Sequence, residues 1–157
     1  MFKNGVKCGI LKAERKHPNA KVFQTSVRER SNKLIEEKDY YEVLLVDHFG
    51  RITEGSRSNV FFVKDDELIT PPGNEVLLGI TRRKTIALAG ELGVSFKEED
   101  IYFADLKQYS ATVITGTSPK ILPVKEIENS EFDSENVVIR KLVAAYNQLI
   151  EQYVNQR

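Results

Sequence analysis

The stretch Tyr41-Glu42-Val43-Leu44-Leu45-Val46-Asp47-His48-Phe49-Gly50-Arg51-Ile52-Thr53-Glu54-Gly55-Ser56-Arg57-Ser58-Asn59-Val60-Phe61-Phe62-Val63 decides the fold. Tyr41 to Val46 is an apolar run of the kind buried strands show. Asp47-His48-Phe49-Gly50 reads as a turn that returns the chain into Arg51-Ile52-Thr53. A second apolar run, Asn59 to Val63, is followed by the polar turn Lys64-Asp65-Asp66-Glu67 and by Leu68-Ile69-Thr70, and Pro71-Pro72-Gly73 ends the segment. Two hairpins in succession predict a meandering sheet.

Reading outward toward the amino terminus, Thr25 to Lys38 contains no Gly or Pro. Val27, Arg30/Ser31, Leu34 and Ile35 recur in it at near-helical spacing, and Glu29 stands four residues before Lys33. A helix is expected there. Before it, Gly5 to Leu11 reads as a strand, and His17-Pro18-Asn19 punctuates the chain just ahead of Lys21, so Lys21 is expected to follow a turn and precede the helix. Cys8, between Val6 and Ile10, reads as a small buried strand residue.

Toward the carboxyl terminus, Gly79-Ile80-Thr81-Arg82-Arg83 opens a helical stretch that closes at Gly93, with Thr81 expected as the N-cap and Gly93 as the C′ residue. Val94 to Phe96 and Ala111 to Thr115 read as strands around a helical turn near Phe103-Ala104-Asp105-Leu106. Gly116-Thr117-Ser118-Pro119 interrupts, and Ile121 to Val124 resumes an extended run. Val137, Val138, Leu142, Val143, Tyr146, Leu149, Ile150 and Tyr153 mark an amphipathic final helix. Hairpins alternating with single helices favour an α+β fold over a doubly wound parallel sheet.

Composition narrows the functional classes. A chain of 157 residues is long enough to bury roughly 70% of the surface its unfolded form exposes. Lys and Arg balance Asp and Glu at 23 each, so no nucleic-acid partner or anionic membrane surface is expected. No apolar run approaches the ~18 residues of a membrane span and the first residues have no signal-peptide core, which makes the cytoplasm the expected compartment. One cysteine and two separated histidines, His17 and His48, give no metal site.

Three segments carry residues that core formation does not demand. Thr53-Glu54-Gly55-Ser56-Arg57-Ser58-Asn59 lies between strands, Leu77-Leu78-Gly79-Ile80-Thr81-Arg82 opens a helix, and Thr115-Gly116-Thr117-Ser118-Pro119 follows a strand. Each joins Gly to hydroxyl residues and can present N–H and Oγ donors to an oxyanion, with a helix N-terminus adding a partial positive charge. Each alone is also ordinary turn and cap chemistry.

In this order, and preceded by Lys21 and followed by Leu122-Pro123-Val124, the three segments resemble the class IV (fold-type IV) pyridoxal-phosphate aminotransferases. That group holds the branched-chain and D-amino-acid aminotransferases. The resemblance covers nearly the whole chain and implies the D-amino-acid aminotransferase-like large C-terminal domain over residues 1–157, a meandering mixed sheet or pseudo-barrel with flanking helices, with the smaller N-terminal domain absent. It implies pyridoxal 5'-phosphate as cofactor, an amino acid and a 2-oxo acid as small-molecule partners, and a homodimer.

Residue by residue, the resemblance makes Lys21 the catalytic lysine that forms a Schiff base with the cofactor and moves the substrate proton. Glu54 would bond the pyridine nitrogen, and Leu77 would pack on the ring. Gly79, Ile80, Thr81, Gly116 and Thr117 would hold the phosphate, and residues 56–59 would line the pocket. The chain departs from the family pattern at Gln24, where many members have Asn, and at Ser26, where branched-chain enzymes have Tyr. The same motifs serve aminodeoxychorismate lyase, which eliminates pyruvate, and a third reading is a non-catalytic domain.

Overall fold

The computed structural model describes residues 4–13, 20–73, 76 and 78–155, with the side chains of residues 20–25 outside the description. Ten strands and three α-helices alternate along these residues: β1 (Val6–Lys12), α1 (Ala20–Lys38), β2 (Glu42–Val46), β3 (Arg51–Gly55), β4 (Asn59–Lys64), β5 (Glu67–Thr70), α2 (Ile80–Glu91), β6 (Phe96–Glu98), β7 (Ile101–Tyr102), β8 (Ala111–Gly116), β9 (Lys120–Ile127), β10 (Ser130–Glu131) and α3 (Val137–Asn155). A short 3-10 helix, Phe103–Gln108, precedes β8.

Both expected hairpins form: β2 pairs antiparallel with β3, and β4 with β5. The second turn places Asp65 and Asp66 at φ 51° and 61°, the left-handed geometry that a tight hairpin connection requires and that Asp tolerates. The hairpins are not neighbours, however. The sheet runs β6-β5-β4-β8-β9-β1-β2-β3-β7, with β10 on β9, so β3 and β4 belong to opposite halves although only three residues separate them in the chain. A link that short across a sheet that wide requires the sheet to curl into a half-barrel, as the pseudo-barrel expectation held.

The sheet is mixed. β1 lies parallel to β2 on one side and to β9 on the other, and β5 is parallel to β6. The parallel β1–β2 pair needs a crossover connection, which α1 supplies. α1 begins at Ala20, five residues earlier than the apolar spacing indicates, so Lys21 lies in the first helical turn rather than ahead of the helix. The apolar spacing begins only at Val27, so it is silent about the first turn.

Successive residues face opposite sides, and both sides are covered. Val60 and Phe62 of β4 enter the interior cluster with Leu44, Val46 and Ile52, while Phe61 and Val63 pack under α2 and α3 against Leu88, Leu142 and Tyr146. On β2, Val43 and Leu45 face Val27, Leu34 and Ile35 of α1. The apolar Tyr41–Val46 run is therefore continuous because each face has its own cover. Gly93 closes α2 as expected, at φ +72°, with Val94 N–H on the Ala89 carbonyl and its own N–H on that of Gly90. Asn136 caps α3, its side-chain oxygen accepting from Val138 N–H at 2.9 Å.

Candidate active site

Where the curl brings the two halves together, the end of β3, the start of β4, the end of β8 and the start of α2 converge. They enclose a cleft of about 170 Å³ lined by residues 54–59, 79–81 and 115–117. The three glycine–hydroxyl segments are thus brought together around one cleft.

Glu54 is 2% exposed near the end of β3. A register irregularity in the β2–β3 pair sets Glu54 opposite Leu45 while Ile52 stays opposite Val46. Opposed residues share a face, so the shift turns Glu54 to the side that α1 covers.

The turn that follows points its donors inward, against the expectation that it could offer them to an anion. Gly55 N–H bonds the Ser58 carbonyl at 2.8 Å and Ser56 N–H bonds that of Val43 at 3.0 Å. Arg57 N–H donates to Glu42 Oε2 at 3.1 Å, Ser58 Oγ donates to the same oxygen at 2.9 Å, and Ser56 Oγ donates to Glu42 Oε1 at 2.5 Å. A β-carbon on Gly55 would lie 2.1 Å from Ser58 Oγ and 2.9 Å from Glu42 Oε2, so the packing of this turn demands glycine. The Arg57 guanidinium reaches Asn32 Oδ1 at 2.5 Å, tying the turn to α1.

The opposite wall is built differently. α2 starts at Ile80 behind the N-cap Gly79, and no side chain caps it. Thr81, expected as the cap, is instead the second helical residue; Gly79 takes the extended conformation a cap needs, at φ −74° and ψ 153°. Gly79 has no side chain to cap α2, and the first N–H groups of the helix stand at the cleft. Gly79 backs onto Asn59, whose Oδ1 would be 2.7 Å from an added β-carbon. The Thr81 hydroxyl lies 3.5 Å from that of Tyr146 on α3. Across from α2, Gly116 and Thr117 begin the β8–β9 turn, and a β-carbon on Gly116 would lie 3.5 Å from the Arg57 carbonyl.

Thr115 was recognisable only as part of its segment, yet it is fully buried in the cleft lining and its Oγ1 has no hydrogen-bond partner. A buried hydroxyl without a partner costs about 1–3 kcal/mol, so Thr115 Oγ1 is a polar atom in the cleft lining that a bound ligand could satisfy. Glu42 and Arg82 were not singled out at all. Arg82, 6% exposed, donates from Nη2 to Glu98 Oε1 at 2.8 Å and to the Pro71 carbonyl at 3.3 Å, and Gly73 N–H meets the same Glu98 oxygen at 3.2 Å. This knot ties Arg82 of α2 to Glu98 of β6 and to Pro71 and Gly73 after β5. A charged residue in the first turn of a helix, otherwise read as solvated, was its sequence trace.

Lys21 is placed by its backbone in α1, its side chain being outside the description, and Leu77 lies outside the described residues, as does His17. Cys8 is buried at 0% exposure, and burial, with the Glu42 charge added, pushes its thiol far above the usual range, which removes it as a nucleophile. Among the described residues no helix is long and apolar enough to cross a membrane.

The family profile described as amino-transferase class IV matches residues 5–127, a span that contains α1, the cleft turns and both sheet halves. The chain belongs to the class IV aminotransferases. A probable branched-chain-amino-acid aminotransferase of Rickettsia conorii is 28% identical over 87% of this chain and 48% of its own length. Among solved structures, the branched-chain aminotransferase of Escherichia coli superposes with a TM-score of 0.82 at 28% identity, over 93% of this chain and 52% of that one. An aminotransferase from Brucella abortus bound to the cofactor PLP gives a TM-score of 0.80 at 25% identity, over 92% and 54%. This class IV chain spans about half the length of the curated relatives it matches.

Proposed function

We propose that this chain forms the cofactor-holding wall of a pyridoxal-phosphate-dependent aminotransferase that moves an amino group between an α-amino acid and a 2-oxo acid. The observation that carries the reading is the polarity of the cleft. A buried carboxylate, Glu54, stands on one side, and uncapped helix N–H groups with the Gly116–Thr117 turn stand on the other. The unpartnered Thr115 hydroxyl adds a polar atom that the protein itself leaves unsatisfied. A ligand with a phosphate at one end and a basic ring nitrogen at the other fits this donor set.

Bound there, pyridoxal phosphate supplies an electron sink for negative charge developing at the substrate α-carbon. The N–H groups of Ile80 and Thr81, the Thr81 hydroxyl and the Gly116–Thr117 turn receive the phosphate, aided by the α2 dipole. Glu54 holds a proton at the ring nitrogen through its negative charge. By the family resemblance Lys21 would hold the cofactor covalently, and its Nζ would take the proton from the substrate α-carbon and return one in the reverse half-reaction. Gly79 keeps α2 close to Asn59; by the family resemblance Leu77, outside the described residues, would cover the ring.

We extend the reading to the assembly. Ile80 and Leu78, 64% and 59% exposed beside the cleft, are apolar side chains suited to cover by further protein surface. A smaller N-terminal domain and a second copy of the chain, in a cytoplasmic homodimer, are the proposed covers. The names of the relatives favour transamination over pyruvate elimination or a non-catalytic domain. Borohydride reduction in the presence of pyridoxal phosphate followed by peptide mapping tests the assignment. Label on Lys21, lost in Lys21→Ala, is expected, and label confined to another lysine overturns it.

A further inference from the structure

We propose that Glu42 is a positioning residue that fixes the polarity of the cleft. It draws the donors of the Gly55–Ser58 turn away from the cavity, so that the anionic end of a ligand is directed to α2 and the Gly116–Thr117 turn. The inference rests on the cofactor reading above.

Glu42 is 5% exposed at the start of β2 and does not line the cleft. Its two oxygens accept four hydrogen bonds: Val43 N–H at 2.8 Å and Ser56 Oγ at 2.5 Å on Oε1, Arg57 N–H at 3.1 Å and Ser58 Oγ at 2.9 Å on Oε2. A carboxylate accepts at both oxygens, and no other side chain of this size can take two backbone N–H groups and two hydroxyls at once. With their protons committed to Glu42, the Ser56 and Ser58 hydroxyls present only lone pairs toward the cavity. Ser56 and Ser58 look like phosphate donors in the sequence, yet the clamp makes them acceptors. That wall suits the ring and amine end of a ligand and repels its phosphate.

Glu42→Gln keeps the volume and removes one acceptor. Whichever way the amide turns, the N–H of Val43 or of Arg57 faces an NH₂ group, and a serine proton is released. The test compares the wild-type chain, Glu42→Gln, Ser56→Ala/Ser58→Ala and the triple variant. It measures uptake of pyridoxal, binding of inorganic phosphate, and hydrogen exchange of the turn amides without ligand. Losing a hydrogen bond to a charged group corresponds to about tenfold or more in affinity. Pyridoxal affinity is expected to fall by about that factor in Glu42→Gln, with phosphate affinity unchanged and amide exchange in the turn faster. The serine pair lowers pyridoxal affinity in the same direction, and the triple variant adds little, because the residues act as one unit.

Equal losses of phosphate and pyridoxal binding would reduce Glu42 to a general structural role and overturn the proposal, as would additive losses or unchanged pyridoxal affinity. If Glu42→Gln does not fold, the serine pair, which keeps the carboxylate, decides by the same ratio. If the wild-type chain takes up neither pyridoxal nor its phosphate ester, the cofactor reading fails. The clamp then stands or falls on whether the Arg57 amide is protected in the wild-type chain and exposed by the variants.

Discussion

The two ends of the β2–β3 hairpin are each organised by a buried carboxylate, and they are organised differently. At the turn, Asp47 accepts from Phe49 N–H and Arg51 N–H and meets Arg51 Nε at 2.7 Å, so a cation answers its charge. At the cleft, Glu42 is answered only by N–H and hydroxyl dipoles, and the nearby Arg57 guanidinium goes to Asn32 instead. The first arrangement closes a turn. The second leaves negative charge behind the cleft wall, where it bears on what the cavity accepts. Local geometry is similar at the two ends; the source of compensating charge separates a structural carboxylate from one that shapes a site.

The most damaging way to break the contrast is Gly55→Ala. An added β-carbon must displace Ser58 Oγ and Glu42 Oε2 together. A loss of about 1–3 kcal/mol in denaturant-measured stability, with most pyridoxal uptake gone, is expected. A variant with normal uptake would show that the clamp has no bearing on the cavity.

Glu54→Gln comes next. It is expected to retain cofactor and fold while slowing α-proton removal about tenfold or more, since one pKa unit at the ring nitrogen is about 1.4 kcal/mol. Stopped-flow deuterium isotope effects measure that step, and unchanged proton removal would take Glu54 out of the mechanism.

Asp47→Asn, at the far end, is expected to cost about 1 kcal/mol and leave cofactor binding untouched. Burial raises the Asp47 carboxyl, but the Arg51 and Phe49 hydrogen bonds and the Arg51 charge outweigh it and hold it below its ordinary 3.8. A carboxyl depressed on folding contributes stability that is full above the unfolded value and is lost as pH falls through the folded one. The wild-type chain should thus lose stability below about pH 4 more steeply than Asp47→Asn. Parallel acid limbs for the two proteins in urea titrations would contradict this.

The smallest effect is expected of Thr115→Val. Without ligand it removes a buried hydroxyl that has no partner, so stability stays within about 1 kcal/mol of wild type or rises. Phosphate affinity should fall a few-fold, and calorimetric titration distinguishes this from no change.

Much of this was legible in the chain. Both hairpins followed from turn residues bounded by apolar runs, and Gly93 announced the end of α2 by chemistry that acts over four residues. The cleft segments were visible for the same reason, each being a short run of Gly and hydroxyl residues. What stayed hidden depends on register. Thr81 looked like a cap because hydroxyl residues cap, but the extended backbone at Gly79 takes that position. Glu42 passed unremarked inside the Tyr41–Val46 run, since its partners lie 14–16 residues away across a pairing that no local pattern states. A lone acid opening the apolar run Val43 to Val46 was its one trace, because a charge buried there must be compensated.

The three-residue step from β3 to β4, crossing between opposite halves of the sheet, also has a kinetic consequence. Each hairpin can form from neighbours in the chain, whereas the halves join through β1 and β9, whose pairing sets Val6 beside Val124 and is followed by Ile10 N–H on the Glu128 carboxylate just past β9, 118 residues away. Contacts between such distant partners are slow to form because loop closure must come first. The cleft is lined by residues of both halves and is complete only when the halves have met. A ligand held there stabilises contacts made late, so its main effect falls on the rate at which the folded chain comes apart and little on the rate at which it assembles.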